Sequence, residues 1–227
     1  MLDTAFLTEG EGICELVLVR HGQQSLPDLG LATVSDWVDP ELSDLGRRQA
    51  RLVGERFSEE RIDAVYSSPL KRAYDTGTEI ARHHGTELRV LDDLREVELF
   101  RDMPAGSTAN EVLGDLIMLG LRERMIAERR WDVYPMSEPS SAFRNRVTTV
   151  MEAIAASNHG RRVAVTCHGG VINAYVAHLV GSAMDMLFRP AHTSVSIVRA
   201  ARYGVRALQS LGDHHHLTVV DPALVTY

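Results

Sequence analysis

Two cysteines, Cys14 and Cys167, are the whole cysteine content of the 227 residues. No disulfide framework can be built from them, and a reducing compartment fits such a chain. Positive charge is also short: 24 Lys+Arg stand against 31 Asp+Glu, a formal net charge of -7. That balance repels polyphosphate backbones, which argues against generic nucleic-acid binding, and an anionic ligand would need a cationic pocket working against the global field. Long hydrophobic runs are missing too. The most apolar long stretch, Gly169 to Phe188, is interrupted by Asn173, His178 and Asp185, so it reads as a core helix and not as a membrane span. Met1 to Gly12 carry three acids and no Lys or Arg, unlike a secretory leader. The expectation is a soluble, cytoplasmic protein with neither nucleic acid nor membrane among its partners.

What is present is ordinary for a globular chain: 44% hydrophobic and 24% charged residues, with no tandem repeat. The length suits a single domain, 1–227, with room for an insertion. Leu16 to Val19 form a short continuous apolar run, the mark of a strand covered on both faces at the centre of a parallel sheet. Ser43 can cap a helix from Asp44 to about Phe57, with Leu45, Gln49, Leu52 and Arg56 on neighbouring turns and Val53 and Phe57 widening the apolar face. Asp63 to Tyr66 read as a strand. Ser68 as N-cap and Pro69 as first helical residue then open a helix that runs to about His83. Leu88 to Leu91 read as a third strand.

This alternation argues for an α/β fold, a three-layer α/β/α sandwich with a mostly parallel sheet. It breaks between Val97 and Pro139, where no strand is legible. There a capping box of Thr108 and Glu111 starts a helix reaching about Arg130, so 97–139 reads as a helical insertion over the site. A helix at Ser140–Ser157, a strand at Arg162–Cys167 and a helix from Gly170 to about Val180 follow. Ser194–Val198 and Val205–Leu208 form a terminal strand pair, turning near Tyr203-Gly204.

Ligand sites in open α/β sheets lie beyond the carboxyl ends of the strands. The strand exits here carry Arg20-His21-Gly22, then Ser67-Ser68-Pro69 with Arg72 soon after, then Arg95 and Glu96, then His168-Gly169-Gly170. Two histidines, at least two arginines and a carboxylate therefore share one rim. Arginines and helix N-termini suit a phosphate dianion, a histidine can attack phosphorus, and a carboxylic acid can protonate the leaving oxygen.

Leu18-Val19-Arg20-His21-Gly22, Leu42-Ser43-Asp44-Leu45-Gly46 through Gln49-Ala50, Tyr66-Ser67-Ser68-Pro69-Leu70-Lys71-Arg72-Ala73, Leu94-Arg95-Glu96 and Cys167-His168-Gly169-Gly170 follow one another in order over residues 16–180. In this the chain resembles the histidine phosphatase superfamily, which includes the cofactor-dependent phosphoglycerate mutases. The resemblance implies that His21 is the nucleophile and carries a transient phosphohistidine. Arg20, Arg72 and His168 would hold the phosphoryl oxygens, with Gly22 and Gly169 leaving room for close backbone approach. Glu96 would act as general acid and then as general base. No metal and no cofactor is implied, since Arg and His supply the charge. Mutases of the family usually follow the early signature with Glu-Ser and then an asparagine. Here the run is Gln23-Gln24-Ser25-Leu26-Pro27, which favours a phosphomonoesterase acting on a small phosphorylated substrate. A mutase-type phosphotransferase is the alternative, and a non-catalytic phosphate-binding adaptor the second.

Other residues keep two readings. Glu98, on the same side of an extended segment as Glu96, is the alternative proton donor. Gln24 either donates an amide to phosphate or is a solvated loop residue. Cys167 is a small core residue and not a redox group. His192 and Thr193 precede a strand and could line the rim. His214–His216 reads as a solvated surface run, since alternate residues of an extended chain diverge. In the insertion, Arg101, Arg122, Arg124, Arg129 and Arg130 are balanced by five acids, so a solvated face is the default. Leu113, Leu116, Ile117, Leu121 and Met125 recur at helical spacing, with core packing the first reading and a homodimer contact the second.

Overall fold

The computed structural model describes residues 12–27, 32–202 and 204–227. The leader reading of Met1–Gly12 falls almost wholly on residues outside this set, as does Tyr203 of the expected turn. One mixed sheet is built from β1 (Cys14–Arg20), β2 (Ala64–Ser67), β3 (Leu88–Val90), β4 (Arg162–Cys167), β5 (Val195–Ala200) and β6 (Arg206–Asp213). Their order is β3-β2-β4-β1-β5-β6. β1 to β4 run parallel, while β5 is antiparallel to β1 and β6 to β5.

The apolar run of β1 is explained by the pleat. Leu16 and Leu18 face α5 (Ser140–Ser157) and α6 (Gly169–Leu179), packing with Phe143, Met151, Ile172 and Tyr175. Val17 and Val19 face α1 (Asp44–Phe57) and α2 (Lys71–Ala81), packing with Val53, Phe57 and Ile80. Successive strand residues point to opposite faces, so a strand covered on both sides must be apolar at every position. This is the expected three-layer sandwich. Burying each of these side chains contributes about 1.5–3 kcal/mol.

Several local expectations are corrected. In α1 the buried stripe is Gly46, Gln49, Ala50, Val53, Gly54 and Phe57, and Leu45, Leu52 and Arg56 are only half-buried. Ser68 does not cap α2. That helix begins at Lys71 with Leu70 as N-cap, and the Ser68 hydroxyl, 2.8 Å from His168 Nε2, accepts from Leu70 N–H at 3.3 Å ahead of the helix. The capping box of Thr108 and Glu111 is present, but it heads a short helix, α3 (Ala109–Leu113). Gly114, at φ 83° and ψ 152°, breaks the chain before α4 (Asp115–Glu128). Met118, Leu121 and Met125 pack inward, whereas Leu116 and Ile117 are 85% and 55% exposed, against the core reading. His214–His216 is not simply solvated. A single helical turn, α7 (His215–Thr218), brings the His216 ring to Thr193 Oγ1 at 3.2 Å and to Arg56 at 3.3 Å. Burial, then the Arg56 charge, push that imidazole down to about 4.

The start of α1 cradles the chain just after His21-Gly22. Ser43 Oγ donates to Gln23 Oε1 at 2.8 Å, Ser43 N–H donates to the Gln23 carbonyl at 2.9 Å, and Gln49 Oε1 accepts from Gln23 N–H at 2.8 Å. Gly46 lies against the Gln23 backbone so closely that a Cβ there would overlap the Gln23 carbonyl oxygen. Gly46→Ala should therefore force the two segments apart at a cost of about 1–3 kcal/mol. Thermal melting should show Tm lower by several degrees, and an unchanged Tm would refute the close packing.

Candidate active site

The parallel pairing of β1 and β4 puts Arg20 opposite Cys167. His21 and His168 are the next residues on each strand and emerge side by side, ring centroids 5.1 Å apart. His192 closes on the other side of His21, at 5.7 Å. Arg72, near the start of α2, places Nε 3.3 Å from His21 Nε2, and its Nη1 donates to the Val38 carbonyl at 3.2 Å. Arg20 Nη1 donates to the Pro190 carbonyl at 2.5 Å. The rim anticipated from the strand exits is thus assembled.

The tautomer of His21 follows from its partners. Nδ1 lies 2.7 Å from the Gly22 carbonyl, which can only accept, so Nδ1 carries the proton. Nε2 then holds the lone pair and faces the Arg72 guanidinium. Burial, first of all, holds the imidazole well below its ordinary value, and the nearby His168, Arg72 and Arg20 push the same way. His168 is depressed by the same causes, burial first and then Arg72 and Arg20. For both rings desolvation is a larger cause than the neighbouring cations. Arg20 itself is pushed down to about 10, mainly by burial, and stays cationic at neutral pH.

The two candidate proton donors are separated. Glu96 Oε2 accepts from Gly170 N–H at the start of α6 at 2.9 Å, and Oε1 from Val97 N–H at 3.0 Å. Glu98 turns to Arg95 and Arg101, at 3.7 and 3.9 Å. A Cβ at Gly170 would overlap the Glu96 carboxylate, while one at Gly169 would make ordinary contacts at 3.7 Å. The lack of a side chain at Gly170 makes room for the Glu96 carboxylate, and Gly22 is needed against the Gly46 backbone of α1. Gln24 stands on the wall of a cavity of about 1200 Å³, with Arg20, His21, Arg72 and Glu96 in the same wall. Residues of 97–139, among them Phe100, Met103, Met118 and Arg122, line it too, as do Arg189 and Tyr227.

Sequence reasoning gave Ser68 only a capping role and Asn173 none. Ser68 orients the His168 ring. His168 Nδ1 and Arg20 Nε have no hydrogen-bond partner among the described residues. His192 is tied to Thr226 through both its backbone N–H and Nδ1, each at 2.9 Å. Asn173 accepts from Leu187 and Phe188 N–H and fixes that part of the wall on α6. An isolated polar residue in an apolar helix was the only signal for it. Among the described residues no three His, Cys, Asp or Glu side chains converge as metal ligands, and no helix is long and apolar enough to cross a membrane.

The chain is similar to several known proteins. Phosphoglycerate mutase-like protein 4 of Arabidopsis thaliana is 33% identical over 96% of this chain and 93% of its own. Phosphoserine phosphatase 1 of Hydrogenobacter thermophilus is 30% identical over 74% of this chain and 76% of its own. The native structure of a mycobacterial glucosyl-3-phosphoglycerate phosphatase superposes with a TM-score of 0.70 at 26% identity, covering 88% of this chain and 99% of that one. The model of the histidine phosphatase superfamily, branch 1, matches residues 16–213, from within β1 to the end of β6, and the chain belongs to that superfamily.

Proposed function

We propose that the chain is a phosphomonoesterase for a small phosphorylated metabolite, working through a phosphohistidine on His21. The observation that carries this reading is the Nδ1–H bond to the Gly22 carbonyl, which leaves Nε2 as a neutral nucleophile beside a guanidinium. Nε2 forms a bond to phosphorus as the ester P–O bond breaks, and the departing oxygen takes a proton from Glu96. Water then attacks the phosphohistidine and returns a proton to Glu96, which releases inorganic phosphate and free His21. Arg20 and Arg72 hold the phosphoryl oxygens. With Ser68 donating to His168 Nε2, the His168 Nδ1–H is free to donate to the same group. Gln24, on the cavity wall, would offer its amide. The fixed cations supply the charge that magnesium supplies in other phosphoryl-transfer sites, so the reading is metal-independent. Hydrolysis is favoured over mutase chemistry by the Gln23-Gln24-Ser25 run at the loop. Relatives named for phosphoserine and glucosyl-3-phosphoglycerate set the class of substrate to try first.

The purified protein with excess EDTA should release phosphate from a panel of phosphoserine, phosphoglycerates and nitrophenyl phosphate. Quenched enzyme should carry phosphate that survives base and is lost in acid, and His21→Ala should carry none. Loss of turnover with EDTA and its return with magnesium would sink the metal-free reading. Isomerised phosphoglycerate without net phosphate release would move the assignment to a mutase, and phosphate binding with no turnover to an adaptor.

The depressed imidazole gives a sign that can be checked. A histidine with its folded-state value below 6.5 stays neutral through that pH and gains a proton only at lower pH. Ring 15N shifts of His21, assigned by comparison with His21→Ala, should show the neutral Nδ1–H form from pH 7.5 down to 5.5. A titration midpoint near 6.5 contradicts the environment described.

The cavity wall contributed by 97–139 sets a further expectation. Arg101 and Arg122 line the same cavity and would meet a second acidic group of the substrate. Charge reversal at either should reorder activity among natural phosphate esters and leave nitrophenyl phosphate within a few-fold. Equal losses on every substrate would show a damaged fold instead.

A further inference from the structure

The carboxylate of Glu96 sits on a segment with almost no regular structure. A single 3-10 turn, Asp92–Leu94, is followed by extended chain. Such a segment does not position a proton donor by itself. Across it lies Arg146, in the second turn of α5, and every one of its N–H groups has an acceptor. Nε donates to Glu138 Oε1 at 2.7 Å and Nη2 to Glu138 Oε2 at 2.8 Å. Nη1 donates to the carbonyls of Asp93 and Arg95, both at 2.8 Å, and Nη2 to the carbonyl of Glu96 at 3.0 Å. An arginine has five such donors in a fixed plane, and here all are committed. The plane lies over the Phe143 ring, 4.8 Å from its centroid, so it cannot tilt freely.

Glu138 holds the same segment from the other end. Its N–H donates to the Glu98 carbonyl at 2.9 Å, and its Oε2 accepts from Glu98 N–H at 3.3 Å. The four residues on whose backbones the bracket closes, Asp93, Arg95, Glu96 and Glu98, straddle the acid. We propose that Arg146 and Glu138 are positioning residues for Glu96. Neither side chain lines the cavity; they act by fixing the backbone from which the carboxylate projects. This inference rests on the reading of Glu96 as general acid.

Stability alone does not account for the pair. Glu138 is buried, and burying an arginine–carboxylate pair costs desolvation that a well-packed apolar pair of similar size would avoid. What the apolar pair lacks is a set of directed bonds to three carbonyls and an amide. Proton transfer is sensitive to placement, since a displacement of about 1 Å can cost 100-fold.

The test compares phosphoenzyme formation by rapid quench on an alkyl phosphate, whose leaving group needs a proton, and on nitrophenyl phosphate, whose leaving group hardly does. Arg146→Met should slow the alkyl ester by roughly 10–100-fold and leave the nitrophenyl ester and both KM values within a few-fold. Arg146→Lys, which cannot span the three carbonyls, should not restore the rate. If Arg146→Met does not fold, Glu138→Gln is read the same way, because it keeps size and removes the charged partner. In a Glu96→Gln background, Arg146→Met should add no further leaving-group-dependent loss. Equal losses on both esters, or a selective loss that persists without the Glu96 carboxylate, would overturn the positioning role. If Glu96→Gln itself loses equally on both esters, the acid assignment falls and takes the inference with it. If Glu96→Gln is selective and Arg146→Met is not, only the inference falls.

Discussion

The parallel ladder between β1 and β4 is the contact on which the site depends. Parallel strands end at the same edge of a sheet, so groups far apart in sequence can leave it together. Arg20 lies opposite Cys167, the His21 N–H donates to the Cys167 carbonyl at 2.9 Å, and His21 and His168 follow at once. A slip of one residue in that register would send one imidazole to the wrong face of the sheet. Everything else is arranged around the pair. α2 starts where β2 exits and delivers Arg72, the α1 start grips Gln23, and the α6 start offers Gly170 N–H to Glu96.

The electrostatics of this rim run against those of the whole chain. The protein is acidic overall, yet Arg20, Arg72, His21 and His168 are all buried or nearly so on one edge. Such a cluster costs desolvation and mutual repulsion. Neutralising the imidazoles relieves part of that cost, and the neutral form is also the one that can attack phosphorus. The arginines cannot be neutralised, and carbonyls of Val38 and Pro190 meet only part of their donors. A bound phosphate dianion, as proposed above, would supply the missing acceptors and charge, so that ligand binding and relief of the cluster would be one event.

Where one element set its own shape, it was legible from residues alone. α5 and β4 end at the residues expected, because Ser140 follows a proline and each element has a full apolar pattern. The strand exits were legible because a continuous apolar run stops abruptly at a polar residue. What was not legible depended on partners distant in sequence. Ser68 looks like a cap alone, and nothing near it shows that its hydroxyl also meets His168, a hundred positions later. His216 looks solvated until Thr193 and Arg56 meet it. Arg146 and Glu138 carry no signal in their own helix or turn, since a salt bridge eight residues apart across a loop has no periodicity. In α4 the helical spacing of Leu116 and Ile117 suggested a core that the break at Gly114 turns away.

The insertion is held firmly at its roots and lightly between them. At one root, Glu138 pairs with Glu98. At the other, buried Asp185 accepts from Trp131 N–H at 2.9 Å and Ser140 Oγ at 2.6 Å and lies 3.4 Å from Arg144 Nε. Between the roots, α4 buries Met118, Leu121 and Met125, and residues 34 and 35 bond the turn at 105–107 through two backbone N–H groups. Few buried side chains mean a low local free energy of opening. Histidines and arginines on the sheet edge are by contrast locked into the core. The proposed chemistry would therefore rest on the rigid part of the molecule, while the compliant part lines much of the cavity. Changes in α3 and α4 can reshape that wall without disturbing the His21–His168 geometry, because the bracket on residues 93–98 separates the two mechanically.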